Sequence, residues 1–205
     1  MASRATAGGD FNLSDPVNSF IDTVRRVILQ PAAFFASIPR RGNYVNPLIF
    51  ALICIEISVI LVGLLNLIEV PGGGLGLVAP RGNQGFLAFL GGLVLAPVAG
   101  AVAVFIEALI AHLVVMVVLR AEHSGFEATF RVASYTSVTS LLGWIPFVGW
   151  LLSLYRVYLA IVGIREVHET TTRNAALVVL IPFAVIVVLT LVFVATAATL
   201  FFRAF

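Results

Sequence analysis

Four apolar blocks limit what this chain can fold into more than any other feature: residues 47–68, 86–119, 126–164 and 175–202. A helix needs about 20 residues to cross the roughly 30 Å of bilayer hydrocarbon, so each block is long enough to span. The third block holds two crossings, because Gly143, Pro146 and Gly149 permit a tight turn and Trp144 and Trp150 flank it at interfacial depth. The second block would measure about 51 Å as one helix, and Pro97 and Gly100 mark where it could break.

Composition agrees with a membrane setting. The chain is 60% hydrophobic and 11% charged, where a soluble domain carries about 25% charge. All twelve basic residues are arginine, a bias that suggests a GC-rich, bacterial source and hence an inner (plasma) membrane. Their placement sets the number of spans. With one crossing in the second block, Arg4, Arg25, Arg26, Arg40, Arg41, Arg120, Arg131, Arg165 and Arg173 share one side, leaving Arg81 and Arg203 on the other. Splitting that block would destroy the bias that orients membrane proteins. The expected fold is therefore all-α: a polytopic integral membrane protein with a five-transmembrane-helix bundle and a cytoplasmic N-terminus. The first 46 residues hold no long apolar run, so no cleavable targeting peptide is expected there. A net charge of +2 gives no basis for nucleic acid binding, and Cys54, the single cysteine, lies in an apolar stretch where packing is its expected role.

Ahead of the first span, "DPVNSFIDTVRRVILQP" places Val17, Phe20, Ile21, Val24, Val27 and Ile28 at helical spacing, with Asp15 at an N-cap and Pro16 at the first helical position. Asn18, Ser19, Asp22, Arg25 and Arg26 oppose the stripe. An N-terminal amphipathic interfacial helix is expected, its stripe facing either the membrane or the bundle. The chain divides into a disordered tail at 1–13, a cytoplasmic amphipathic helix and linker at 14–46, and the membrane domain at 47–205.

Inside the spans lie Glu56, Glu107, His112 and Arg156. A guanidinium in mid-membrane must face protein or water. Counted from the span ends, Glu56 and Arg156 both lie about 13 Å deep, so Arg156 is expected to pair with Glu56 first and Glu107 second. A structural ion pair is one reading and a polar path for ions or protons the other. Ser134, Thr136, Ser137, Thr139 and Ser140 suit close helix packing. No Gly-x-Ser-x-Gly elbow and no His-Glu-x-x-His is present, so no hydrolase signature exists. His112, His123 and His168 lack the regular spacing of a metal site. The glycines of "VPGGGLGLVAPRGNQG" lack the lysine of a phosphate loop and read as a flexible connection. No catalytic residue, cofactor or metal is expected.

Several stretches together resemble the Yip domain family, the Ypt- and Rab-interacting membrane proteins and their bacterial relatives: "QPAAFFASIPRRGNYVNPLIFAL", "HLVVMVVLRAEHSGFEATFRVASYTSV", "IPFVGWLLSLYRVYLAIVGIREVHE" and "RNAALVVLIP". Family-like residue types fall at His112, Gly125, Tyr135, Pro146, Gly149, Gly163 and His168. "RAEHSG" departs from the Gly-Gly pair that relatives often show before Gly125. The resemblance implies five membrane helices with a cytoplasmic N-terminus and no enzymatic activity. It points to a membrane scaffold or adaptor; the alternative from the residues is a small transporter or channel using Glu56, Glu107, His112 and Arg156. The expected partners are the lipid bilayer and an unidentified membrane or cytoplasmic protein, with a homo-oligomer left open and nucleic acid excluded.

Overall fold

The computed structural model describes residues 9–67, 83–145 and 147–204. Among these, all regular structure is helical: α1 (Pro16–Leu29), α2 (Pro31–Ser37), α3 (Val45–Leu67), α4 (Asn83–Leu119), α5 (Phe126–Thr136), α6 (Ser140–Gly143), α7 (Val148–Val167) and α8 (Thr172–Ala204). Four of them, α3, α4, α7 and α8, contain stretches long and apolar enough to cross a membrane. The chain is a multi-pass membrane protein. Most of the glycine-rich stretch (70–82), Arg4, Arg81 and Pro146 lie outside the described residues.

The second apolar block is one helix of 37 residues with Pro97 inside it. The expected third span is less regular. It is helical from Phe126 to Gly143 but passes through a 3-10 turn at Ser137–Thr139. Its hydroxyls explain the departure: Thr136 and Ser137 donate to the Ala133 carbonyl, Thr139 to Thr136 and Ser140 to Ser137. Such back-bonding competes with the regular helical ladder.

Prolines set the N-terminal elements. Pro16 and Pro31 each occupy the first turn of a helix, and the restriction Pro31 places on Gln30 ends α1 at Leu29. Asp15 stands at the N-cap without a capping bond; its carboxylate accepts from Asn18 instead. The stripe of α1 divides. Val27 is buried and Phe20, Val24 and Ile28 pack on the core, whereas Val17 and Ile21 stay exposed.

Burial is concentrated at one end of the bundle, where the 120–125 and 168–171 connections lie; we call it the polar end. α5 packs among α3, α4 and α7 and is buried from Ala128 to Thr136. Tyr135 is central, its ring 4.9 Å from Phe34 and 5.1 Å from Phe50 between centroids. Cys54 packs in the same cluster. Toward the other end, Val94, Leu95 and Val98 of α4, Trp150 and Leu154 of α7 and residues 185–194 of α8 are exposed and mostly apolar, a surface suited to lipid. Residues 9–13, expected above within a disordered tail, are docked instead. Phe11 is fully buried against Phe50, and its N–H donates to the Tyr135 hydroxyl at 3.2 Å, so one aromatic side chain anchors the segment.

Candidate functional site

Arg156 of α7 meets Glu107 of α4, with Nη2 2.5 Å from Oε2. This corrects the first-choice partner, Glu56. Glu56 is half-buried on α3, and its Oε2 is buried without a hydrogen-bond partner. Depth counted from helix ends matched Arg156 to Glu56, but α4 is longer than its neighbours, so position along α4 is no measure of level in the bundle. Glu107 also lines a cavity of about 530 Å³ between α4, α5, α7 and α8, whose other walls are almost wholly apolar, with Thr129 and Thr136 the exceptions.

His112 and His168, distant in sequence, are joined through Thr129. Ser124 N–H donates to His168 Nδ1 at 3.0 Å, so the neutral ring carries its proton on Nε2 and donates to Thr129 Oγ1 at 3.0 Å. The Thr129 hydroxyl is then free to donate to His112 Nδ1, also at 3.0 Å. His123 completes the group. Its ring lies 5.2 Å from His112 and 6.4 Å from His168, and its Nδ1 accepts from Gly125 N–H. Every Nδ1 in the cluster therefore holds a hydrogen bond, and among the described residues no group of three His, Cys, Asp or Glu is arranged to hold a metal ion. The relay ties α4, α5, the 120–125 connection and the end of α7 together.

Burial, helped by the charges of His112, His123 and Arg40, pushes His168 down to about 4 from its ordinary 6.5. The unfolded chain then takes up a proton before the folded chain does, so stability falls as pH drops from about 6.5 to about 4 and levels off below. The loss is on the order of 3 kcal/mol. Thermal unfolding in detergent across that window should show the slope in the native chain. His168→Gln, which keeps a donor and an acceptor but does not titrate, should flatten it; an unaltered slope would assign the dependence elsewhere.

A third group was not singled out from the sequence. Arg131, counted there as a loop arginine, is 1% exposed inside α5. It pairs with Asp10 and with Glu127, the latter at 3.1 Å, and donates to the Asn43 carbonyl at 3.0 Å. One guanidinium thus fastens the N-terminal segment, the connection before α3 and its own helix. The available signal was the i,i+4 spacing of Glu127 and Arg131. Arg40 and Glu169 form a further pair between the α2–α3 connection and the end of α7.

The family-like positions have structural roles. Gly125 adopts φ +94° ahead of α5, a conformation a side chain would strain. Gly163 lets α7 approach Val132 of α5 and Phe35 of α2. Gly149 N–H closes a turn on the Ile145 carbonyl at 2.9 Å. Tyr135 is the core residue described above, and Pro146 lies outside the described residues.

In comparison with known proteins, a model described as the Yip1 domain matches residues 25–194. No curated protein and no solved structure matches.

Proposed function

The chain belongs to the Yip1 domain family, and from that premise we propose that it is a non-enzymatic multi-pass membrane scaffold or adaptor. It crosses the bilayer five times, with residues 126–143 as the third span, and its N-terminus and polar end are cytoplasmic. The arginine distribution supports this orientation. The observation that carries the scaffold reading is the Arg131 hub: it joins the N-terminal segment, the connection before α3 and α5 into one platform. Such a platform displays the exposed Glu122 and Arg173 and the α1 helix to partners. The family is not known as one of enzymes.

The Glu107-lined cavity favours a second reading, a small transporter in which Arg156, Glu107 and His112 handle an ion or proton. Two experiments separate the readings. Single cysteines at positions 123 and 169 should be protected from external reagent in intact cells while position 83 reacts; the reverse pattern overturns the orientation. Photo-crosslinkers at Glu122 and Arg173 in the native membrane should give discrete protein adducts. Absence of any adduct, together with ion flux in proteoliposomes, would replace the scaffold by the transporter.

A further inference from the structure

The cavity beside Glu107 is closed on one side and open on the other. On α5 and α7 its walls are deeply buried: Thr129, Val132, Ala133, Thr136 and Ile164 are at most 5% exposed. On α4 and α8 the reverse holds, with Ile106, Ile110, Phe183 and Ile186 between 42% and 58% exposed. The mouth therefore lies on the outer flank of α4 and α8. Glu107 apart, no ionisable side chain on α4 from Val94 to Val117 or on α8 from Leu177 to Val194 is exposed, so the mouth opens on hydrocarbon. Small side chains leave the space, since Ala103, Ala111, Ala133 and Ala160 line it where larger residues would fill it.

Within this apolar wall one group has bonding capacity to spare. The Thr129 hydroxyl serves His112 and His168, and the Thr136 hydroxyl donates to the Ala133 carbonyl. Glu107 is different. Its Oε2 accepts from Arg156 Nη2, but among the described residues nothing bonds its Oε1, and its side chain is 43% exposed. Water needs about two to four polar partners, more than this carboxylate alone offers inside an apolar wall. The pair with Arg156 is neutral as a whole. A cationic head would compete with Arg156 for the carboxylate and an anionic one would be repelled by Glu107, and either would bring an uncompensated charge into hydrocarbon. A hydroxyl donates one hydrogen bond to Oε1 and brings no charge.

We infer that this cavity is a binding site for one hydrocarbon chain bearing a neutral hydroxyl, which enters from the α4 and α8 flank and donates a hydrogen bond to Glu107 Oε1. The volume of about 530 Å³ lies within the range of sites that take one small molecule. A long-chain alcohol and one chain of a diacylglycerol share this chemistry. The inference depends neither on the scaffold reading nor on which end of the bundle is cytoplasmic.

The test uses the full chain in phosphatidylcholine vesicles with hexadecanol that carries a photoreactive diazirine in its chain. Adducts should map to the buried stretch of α5 from Thr129 to Thr136, which surface lipid does not reach. Unlabelled hexadecanol should displace the probe about tenfold better than its methyl ether, which keeps the chain but has no hydrogen to donate, a difference on the scale of one hydrogen bond to a charged group. Hexadecyl sulfate should compete no better than the ether. In the double variant Arg156→Met with Glu107→Leu, alcohol and ether should compete equally while the α5 adducts persist. Ala160→Leu narrows the cavity and should abolish those adducts; if either variant misfolds, the alcohol-to-ether ratio in the native chain decides. Dipalmitoylglycerol competing as well as hexadecanol would support the site and assign its chain to a diacyl lipid, whereas weaker competition would support a single-chain alcohol. Adducts confined to the exposed side chains of α4 and α8 would overturn the inference, because the probe would then be ordinary surface lipid. Equal displacement by alcohol and ether in the native chain, or a preference for the sulfate, would overturn it as well.

Discussion

Replacing Arg131 with methionine is expected to destabilise the folded chain by about 3–5 kcal/mol, because removing one member of a buried ion group leaves its partners uncompensated. The partners are Asp10 and Glu127, whose side chains are 15% and 14% exposed. Burial already raises the Asp10 carboxyl above its ordinary value against the pull of Arg131. The loss in the variant should therefore shrink as pH is lowered and the Asp10 carboxyl neutralises. Arg131→Lys should recover only part of it, since one ammonium cannot reach Asp10, Glu127 and the Asn43 carbonyl with the fixed fork of a guanidinium. Proteolysis around residues 9–13 would report release of the N-terminal segment. A methionine variant as stable as the native chain would mean that the hub does not hold these elements together.

The second large effect is expected at Gly163. A Cβ there would lie 2.6 Å from Val132 Cγ1 and 3.3 Å from Phe35 Cε1. Valine cannot swing aside in a helix, because its branched side chain has one strongly preferred rotamer. α7 must then part from α5 and α2, at a cost of about 1–3 kcal/mol. Gly163→Ala should lower the melting temperature, and Val132→Ala in the same chain should recover part of the loss by vacating the space. Two independent, additive losses would show that the helices do not meet there.

The parts of this fold that depend on local pattern could be read in the sequence. Each of the four apolar blocks contains a helix long and apolar enough to cross a membrane, and Pro16 and Pro31 opened the helices they were placed to open. What could not be read depends on which side chains meet in three dimensions. Arginine counting treats each arginine near a span as a loop charge, which hid Arg131 in the core. Phe11 is a single aromatic in a polar stretch, too little for any periodicity to register. His112, Thr129 and His168 lie on three different elements, so no spacing rule connects them. The partner of Arg156 went to the wrong carboxylate because equal depth was assumed for helices of unequal length.

The account rests most on the claim that intramembrane charge here holds the bundle together. The most direct measurement is a thermal-stability cycle on lipid-reconstituted protein with Arg156→Met, Glu107→Gln and the double variant, alongside Glu56→Gln combined with Arg156→Met. The account predicts that either single change at Arg156 or Glu107 costs more than the double, since the double leaves no charge unpaired, while Glu56 and Arg156 add independently. Additive losses for Arg156 and Glu107, with a proton or ion flux in the native proteoliposomes that vanishes in a still-folded Arg156→Met, would contradict it and make the pair part of a transport path.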